Sequence, residues 1–355
     1  MQNVSYEMAQ GSGGADMELL KCPACMEEKA GRLEQLAESI GSWLCSDGMK
    51  QLIRLSSGKE DEIYGEARLG QILGRLHSFA SSHWDFRRMR GGGGERWLVT
   101  EDGLAKQREE EIFDAAGRLG MTGAVLQKKE YDFILPLGGA RMQNLFRPQM
   151  AKKVIDEQGL TGCKVIGLSG FRPINEIELP AISAYAPGAP TELEAMRAGL
   201  SKVFYLPEFQ TVKEKKEENI NLSSVILKYH GLYQGNEVYC VAAPSKDPGR
   251  RADSYDTFCY FMEQFAVPPK SKLLLVTSSI YVSYQWMKFM GIAMEYNLEV
   301  DCVGLSDDIT GGGFSPATNY LQEVKAALDA MDMLCGQYPQ MAEYLMEGKQ
   351  QDIDG

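Results

Sequence analysis

Residues 272–278 read KLLLVTS and residues 298–304 read LEVDCVG, with a helical-looking stretch at 280–295 between them. Both runs are nearly continuous in apolar residues and too short for helices, which is how strands buried on both faces read. Working back along the chain, the same kind of run recurs as YDFILPL (131–137), CKVIGL (163–168) and EVYCVAA (237–243). Further helices are predicted at 148–158, 190–201, 254–265 and 317–346, so strand and helix alternate at the separation that parallel crossovers require. The expected fold is α/β: a Rossmann-like parallel sheet flanked by helices. Residues 204–235, which include the charge run KEKKEE, resist placement and leave room for another strand and helix.

Before the sheet the chain changes character. Residues 1–20 show no period and read as a flexible leader. Residues 21–125 are predicted to be mainly helical, because Leu33, Leu36, Ile40 and Leu44, then Ile63, Leu69, Ile72 and Leu76, recur at steps that put them on one helix face. This N-terminal helical region carries an Arg/Gly-rich loop, SSHWDFRRMRGGGGERWLV (81–99). The α/β domain is expected over 126–350.

The chain has 355 residues, 44% of them hydrophobic, and a formal net charge of −12. Such a balance argues against a general nucleic-acid binder or a binder of anionic membranes, which need cationic excess. No apolar run reaches the length of a membrane span and the first residues lack a signal-peptide pattern, so a cytoplasmic protein is expected. Cys163, Cys240 and Cys302 fall in or beside apolar runs, where a thiol acts as a small core hydrophobe.

In a parallel sheet ligands sit outside the carboxyl ends of the strands, so the residues after each run carry the functional reading. They are Gly138-Gly139-Ala140-Arg141, then Ser169-Gly170-Phe171-Arg172, then the stretch from Ser245 to Ser254 with Arg250 and Arg251, then Ser278-Ser279, after Thr277, running into a helix that carries Tyr281 and Tyr284. Glycines let a backbone approach a ligand, helix N-termini offer N–H groups to anions, and arginine forks match phosphate or carboxylate. An anionic or nucleotide-like small molecule is the expected partner. The competing reading is that the glycines only make turns and the arginines pair with the protein's own carboxylates.

These strand ends resemble those of the YdcF/SanA/ElyC-like family of Rossmann-like bacterial proteins. The matching residues are Gly138-Gly139, Ser169-Gly170, Glu194-Ala195-Met196, Ser254-Tyr255-Asp256-Thr257 and Val276-Thr277-Ser278. The resemblance spans about 131–304 and implies a ligand role for Glu194, Ser254 and Thr257 and S-adenosylmethionine or a nucleotide as cofactor class. It departs from the family at Cys259-Tyr260, Tyr281 and Tyr284, where the family has other groups.

Catalytic candidates are few. Of three histidines, His77 sits in a helical stretch and reads as structural, while His83 stands with Trp84, Arg87 and Arg88 beside a glycine loop that could close over a ligand. Asp253 and Asp256 could act as bases, bind Mg²⁺ or cap a helix. Cys22-Pro-Ala-Cys25 has metal spacing without a second pair of ligands, and no metal site is expected. Gly91–Gly94 and Gly311–Gly313 lack phosphate-loop context, and no G-x-S-x-G elbow is present. The expectation is a group transferase or hydrolase acting on an anionic small molecule. The alternative is a non-catalytic ligand sensor or scaffold, and a homo-oligomer stays open.

Overall fold

The computed structural model describes residues 17–89, 103–122, 126–305 and 315–347. Helices α1 (Lys29–Cys45), α2 (Asp47–Leu55), α3 (Glu60–Tyr64), α4 (Leu69–His83), α5 (Phe86–Met89), α6 (Gly103–Gln107) and α7 (Glu109–Arg118) come first. The chain then enters β1 (Phe133–Pro136), α8 (Gln143–Gln158), β2 (Lys164–Ser169), α9 (Leu179–Ser183) and α10 (Glu192–Phe204). Next come β3 (Phe209–Lys215), β4 (Ser224–Tyr229), β5 (Glu237–Ala242), α11 (Ser254–Phe265) and β6 (Lys272–Ser278). Helix α12 (Val282–Tyr296), β7 (Glu299–Leu305), α13 (Ala317–Gln337) and α14 (Pro339–Glu347) complete it.

The chain divides into two compact units, and the division does not follow chain order. The sheet unit is Leu126–Ser278 with Glu295–Leu305, and the helical unit is Met1–Val125 with Ser279–Met294 and Ser306–Gly355.

In the sheet unit the seven strands run β3-β4-β5-β2-β1-β6-β7. The five from β5 to β7 are parallel, as the apolar runs require, and β4 joins β5 antiparallel. The unplaced 204–235 segment supplies the two added strands: β3 and β4 form an antiparallel pair with a register shift between Thr211 and Lys213, and β3 is the outer edge. The period-2 alternation of strands assigns the helices to faces. A Cβ on Gly167 would meet Leu200 and Met196 of α10, whereas Phe133, in register with Lys164 three positions earlier, packs edge-on to Phe261 of α11. Residues 164 and 167 point to opposite sides, so α10 and α11 cover opposite faces. Helix α8 packs against α10 and against β1, β6 and β7.

Helix α8 starts earlier than the sequence suggests. Proline favours a first helical turn, which predicts a start at Pro148, yet five residues precede it in the helix. That extra turn holds Asn144 and Arg147, both buried.

The helical unit buries Leu33, Leu36, Ile40 and Leu44 of α1 and Ile72, Leu73 and Leu76 of α4, as their spacing predicts. Later segments complete its core: α13 packs on α4 and α7, and α14 on α1 and α4. Arg32 donates to the carbonyl of Ala293 at 3.2 Å, and Tyr338 to that of Gly291 at 2.8 Å. Among the described residues no helix is long and apolar enough to cross a membrane.

Candidate functional site

The parallel strands change direction of progress at β1: the chain steps from β1 to β2 and β5, then returns to lay β6 and β7 on the other side. Ligands of such sheets bind at this switch point, outside the carboxyl ends. The turns after β1, β2 and β6 therefore define the candidate site.

Two guanidiniums organise it, Arg147 buried and Arg172 half-buried. Arg147 of α8 donates to the carbonyls of Leu137 (2.9 Å) and Gly138 (2.5 Å), to Gln143 Oε1 (3.0 Å) and to Ser278 Oγ (3.2 Å), tying the end of β1 to the end of β6. Asn144 closes the same turn, accepting from Gly139 N–H at 3.0 Å and donating to its carbonyl at 2.6 Å. Arg172, after β2, forms a two-pronged pair with Glu178 (2.7 and 3.0 Å) and a further bond to Glu192 Oε2 (3.1 Å). Burial pulls against the Arg172 charge, but Glu178 and Glu192 outweigh it and hold the guanidinium protonated.

Glu192 is the first residue of α10, placed beside the glycine pair. Burial pushes its carboxyl above the ordinary range, against the opposing pull of Arg172 and Arg147. Its side chain and that of Arg172 each keep 13% exposure, whereas Glu178 keeps 3%. A Cβ on Gly138 would lie 2.2 Å from Glu192 Oε1, and one on Gly139 2.0 Å from Gln143 Oε1. Both glycines thus make room for the protein's own side chains. A Cβ on Gly170 would meet nothing within 4 Å, so open space lies beside the end of β2. Arg141 is exposed at the lip of the β1 turn in the left-handed region (φ 51°), and its carbonyl accepts from Tyr185 at 3.0 Å.

The remaining candidates divide into those near this edge and those spent elsewhere. Ser169 Oγ donates to the carbonyl of Val241 at 2.8 Å, and Thr277 is fully buried with its hydroxyl unpartnered among the described residues. Glu194 forms a capping box with Thr191, which accounts for it without a ligand. Asp253 caps α11 through Asp256 N–H at 3.0 Å, and Asp256 accepts from Asp253 N–H at 3.1 Å and from Arg250. Thr257 Oγ1 donates to the carbonyl of Asp253 at 2.8 Å, Ser254 opens α11, and Arg251 is exposed. The pairing alternative therefore describes Arg172 and Arg250, and the capping alternative describes Asp253.

His83 and Tyr281 lie in the helical unit. His83 is exposed at the end of α4, stacked on Phe79 at 4.2 Å and donating from Nδ1 to the carbonyl of Phe79 at 2.9 Å. The Gly91–Gly94 and Gly311–Gly313 segments lie outside the described residues. Cys22 Sγ lies 3.6 Å from the carbonyl of Pro23.

Sequence reasoning missed Asn144, Arg147, Glu178 and Glu192. The signal for the first two was their place five and eight residues after the Gly-Gly pair, hidden by the late helix start. For Glu192 it was the Thr-Glu that opens α10, where Glu194 drew the attention.

Residues 27–120 match the model of the family described as the Rv3785 N-terminal domain. Over 336 residues the chain is 26% identical to uncharacterized protein Rv3785 of Mycobacterium tuberculosis (strain ATCC 25618 / H37Rv), covering 87% of this chain and 92% of the relative. The same figures hold for uncharacterized protein Mb3814 of Mycobacterium bovis. No solved structure matches. These findings overturn the resemblance to the YdcF/SanA/ElyC-like family, because the matching family model covers the region that resemblance left out and the relatives run through both units. The physical reason is visible in the turns: Gly138-Gly139 are required by Glu192 and Gln143, and Glu194 by a helix cap, so such features recur wherever these strand ends and helix starts are built.

Proposed function

We propose that the chain is an enzyme that binds a small anionic molecule at the carboxyl edge of β1 and β2 and moves a proton on it through Glu192, in a group transfer or a hydrolysis. The observation that carries this reading is Glu192 itself: a half-buried side chain whose carboxyl is raised by burial and paired with Arg172, beside the glycine turn of the switch point. Acid–base groups need pKa values drawn toward working pH, and burial is one way to draw a carboxyl there. Arg141 supports the anionic class. It is an exposed cation held at a left-handed φ, a conformation that costs a non-glycine residue about 1 kcal/mol or more and collects at functional positions. The space beside Gly170 supplies room for the ligand's body. S-adenosylmethionine loses its ground with the family resemblance. A cytoplasmic setting fits the eight free cysteines.

A ligand sensor is the second reading, favoured by the engagement of Arg172 and Arg250 with carboxylates, which leaves fewer cations for a tightly held charged substrate. One experiment addresses both: thermal shift against nucleotides, sugar phosphates and small carboxylates, with Arg141→Ala and Glu192→Gln beside wild type. A ligand at a hundred times its Kd stabilises by about 2.7 kcal/mol. The enzyme reading expects a hit lost in Arg141→Ala, kept in Glu192→Gln, and converted only by wild type when products are followed by mass spectrometry. A hit that Glu192→Gln converts as fast as wild type removes the proton role, a hit never converted gives the sensor, and no hit in any class sinks the site.

A further inference from the structure

Arg172 holds two carboxylates, and it holds them unequally. Glu178 is buried, takes the fork of the guanidinium at 2.7 and 3.0 Å, and accepts a further bond from Asn175 N–H at 3.2 Å. Glu192 is half-buried and, among the described residues, accepts a single hydrogen bond, from Arg172 Nε to Oε2 at 3.1 Å. Its Oε1 rests against Gly138, where no donor meets it among the described residues. Glu178 is fastened; Glu192 hangs on one bond.

Backbone pairing brings open space to the same place. Glu192 N–H donates to the carbonyl of Arg172 at 2.9 Å and Leu193 N–H to that of Gly170 at 3.1 Å, so the first turn of α10 runs beside Gly170. A Cβ on Gly170 would meet nothing within 4 Å. A guanidinium has more donors than one carboxylate fork uses, and here the Nε–H left over by Glu178 is met by a loosely held carboxylate next to that space.

We infer that the Glu192 carboxylate stands in for a carboxylate of the ligand, which displaces it from Arg172 Nε on binding. This rests on the function proposed for the sheet edge and narrows its anion to one class. Exchanging one carboxylate for another leaves the charge beside Glu178 as it was, whereas a phosphate dianion would add a second negative charge there. The displaced Glu192 takes a proton from solvent. The charged and titratable groups that face it are Arg172 and Arg147, which favour its ionised form, Glu178, which opposes it, and Tyr185, whose hydroxyl burial keeps protonated. Once Arg172 is given to the ligand, burial and two neighbouring carboxylates favour the neutral acid, the form that a proton donor needs.

The test is the dissociation constant of the full chain for acetate, with inorganic phosphate alongside, measured by NMR titration at constant ionic strength from about pH 6 to about pH 8, where acetate is ionised. Wild type is expected to bind acetate more weakly as pH rises, approaching about tenfold per pH unit, because one proton enters with each acetate. Glu192→Gln removes both the competing charge and the need for a proton. It is expected to bind acetate with a constant that does not change with pH and is about tenfold or more tighter than wild type at the upper end, the difference between displacing a charged and a neutral acceptor. Acetate binding that is flat with pH in wild type and no tighter in Glu192→Gln would overturn the inference and leave the sheet-edge function standing. Phosphate binding more tightly than acetate to Glu192→Gln would overturn it too, since the class would then not be a carboxylate. No binding of either anion to wild type or to Glu192→Gln would overturn the inference and the sheet-edge function together.

Discussion

Gly138 and Gly170 follow neighbouring strands and look interchangeable in the sequence, but their surroundings differ in a way that mutation can read. A methyl at Gly138 meets the Glu192 carboxylate and the carbonyl of Leu168, whereas one at Gly170 enters open space. Gly138→Ala is expected to lose about 1–3 kcal/mol in a urea melt, and Gly170→Ala to stay within about 0.5 kcal/mol of wild type; equal losses would contradict the packing described. Glu192 yields a pH prediction. Burial raises its folded pKa above the unfolded value of about 4.3, so its contribution is complete below that value and is lost as pH rises through the folded pKa. Wild type should therefore lose stability relative to Glu192→Gln as pH climbs from about 4 through that folded pKa, and a pH-independent difference would count against the raised carboxyl. None of this was legible beforehand, because the neighbours of Gly138 come from the end of β2, thirty residues later, and from α10, more than fifty residues later in the chain.

Helix α11 shows what sequence can and cannot say about an element. Its range, 254–265, follows from apolar spacing, and Asp253 in front of it is a cap by residue type. What spacing does not show is that Asp256 is held by Arg250. Burial alone would raise the Asp256 carboxyl, yet Arg250 and the Asp253 N–H together bring it below the ordinary range. Its stabilising effect is present above the unfolded value of about 3.9 and fades as pH falls through the lower folded value. Asp256→Ala should cost about 1–2 kcal/mol at neutral pH, the range for a lost helix cap, and much less at pH 2; an equal cost at both would show that the carboxylate is not what matters. The β3–β4 pair was left unplaced for a different reason. An outer strand carries charge to avoid pairing with other chains, so Lys213, Glu214 and Lys215 read as part of a solvated charge run although they lie in a strand.

At the scale of the molecule, the alternation of strand and helix announced the sheet, but not that the chain would return to its first helices after finishing the strands. Helices α13 and α14 supply partners to α1, α4 and α7, with Leu321, Val324, Leu328 and Met331 buried. The family match at 27–120 therefore ends inside a compact unit that needs later residues. Residues 21–125 expressed alone are expected to show no cooperative thermal transition by circular dichroism; a sharp melt from that fragment would refute the shared core.

The same return path sets a clock on synthesis. The first helices leave the ribosome long before α13 and α14 exist, and at roughly 5–20 residues per second their partners follow on the order of ten to forty-five seconds later. Until then the faces of α1 and α4 that end up dry stay exposed, so this chain should lean on chaperone holding early in translation. Ribosome-bound chains stalled near residue 300 should be cut by protease within 27–120, and protection there at that length would show that the helices do not wait.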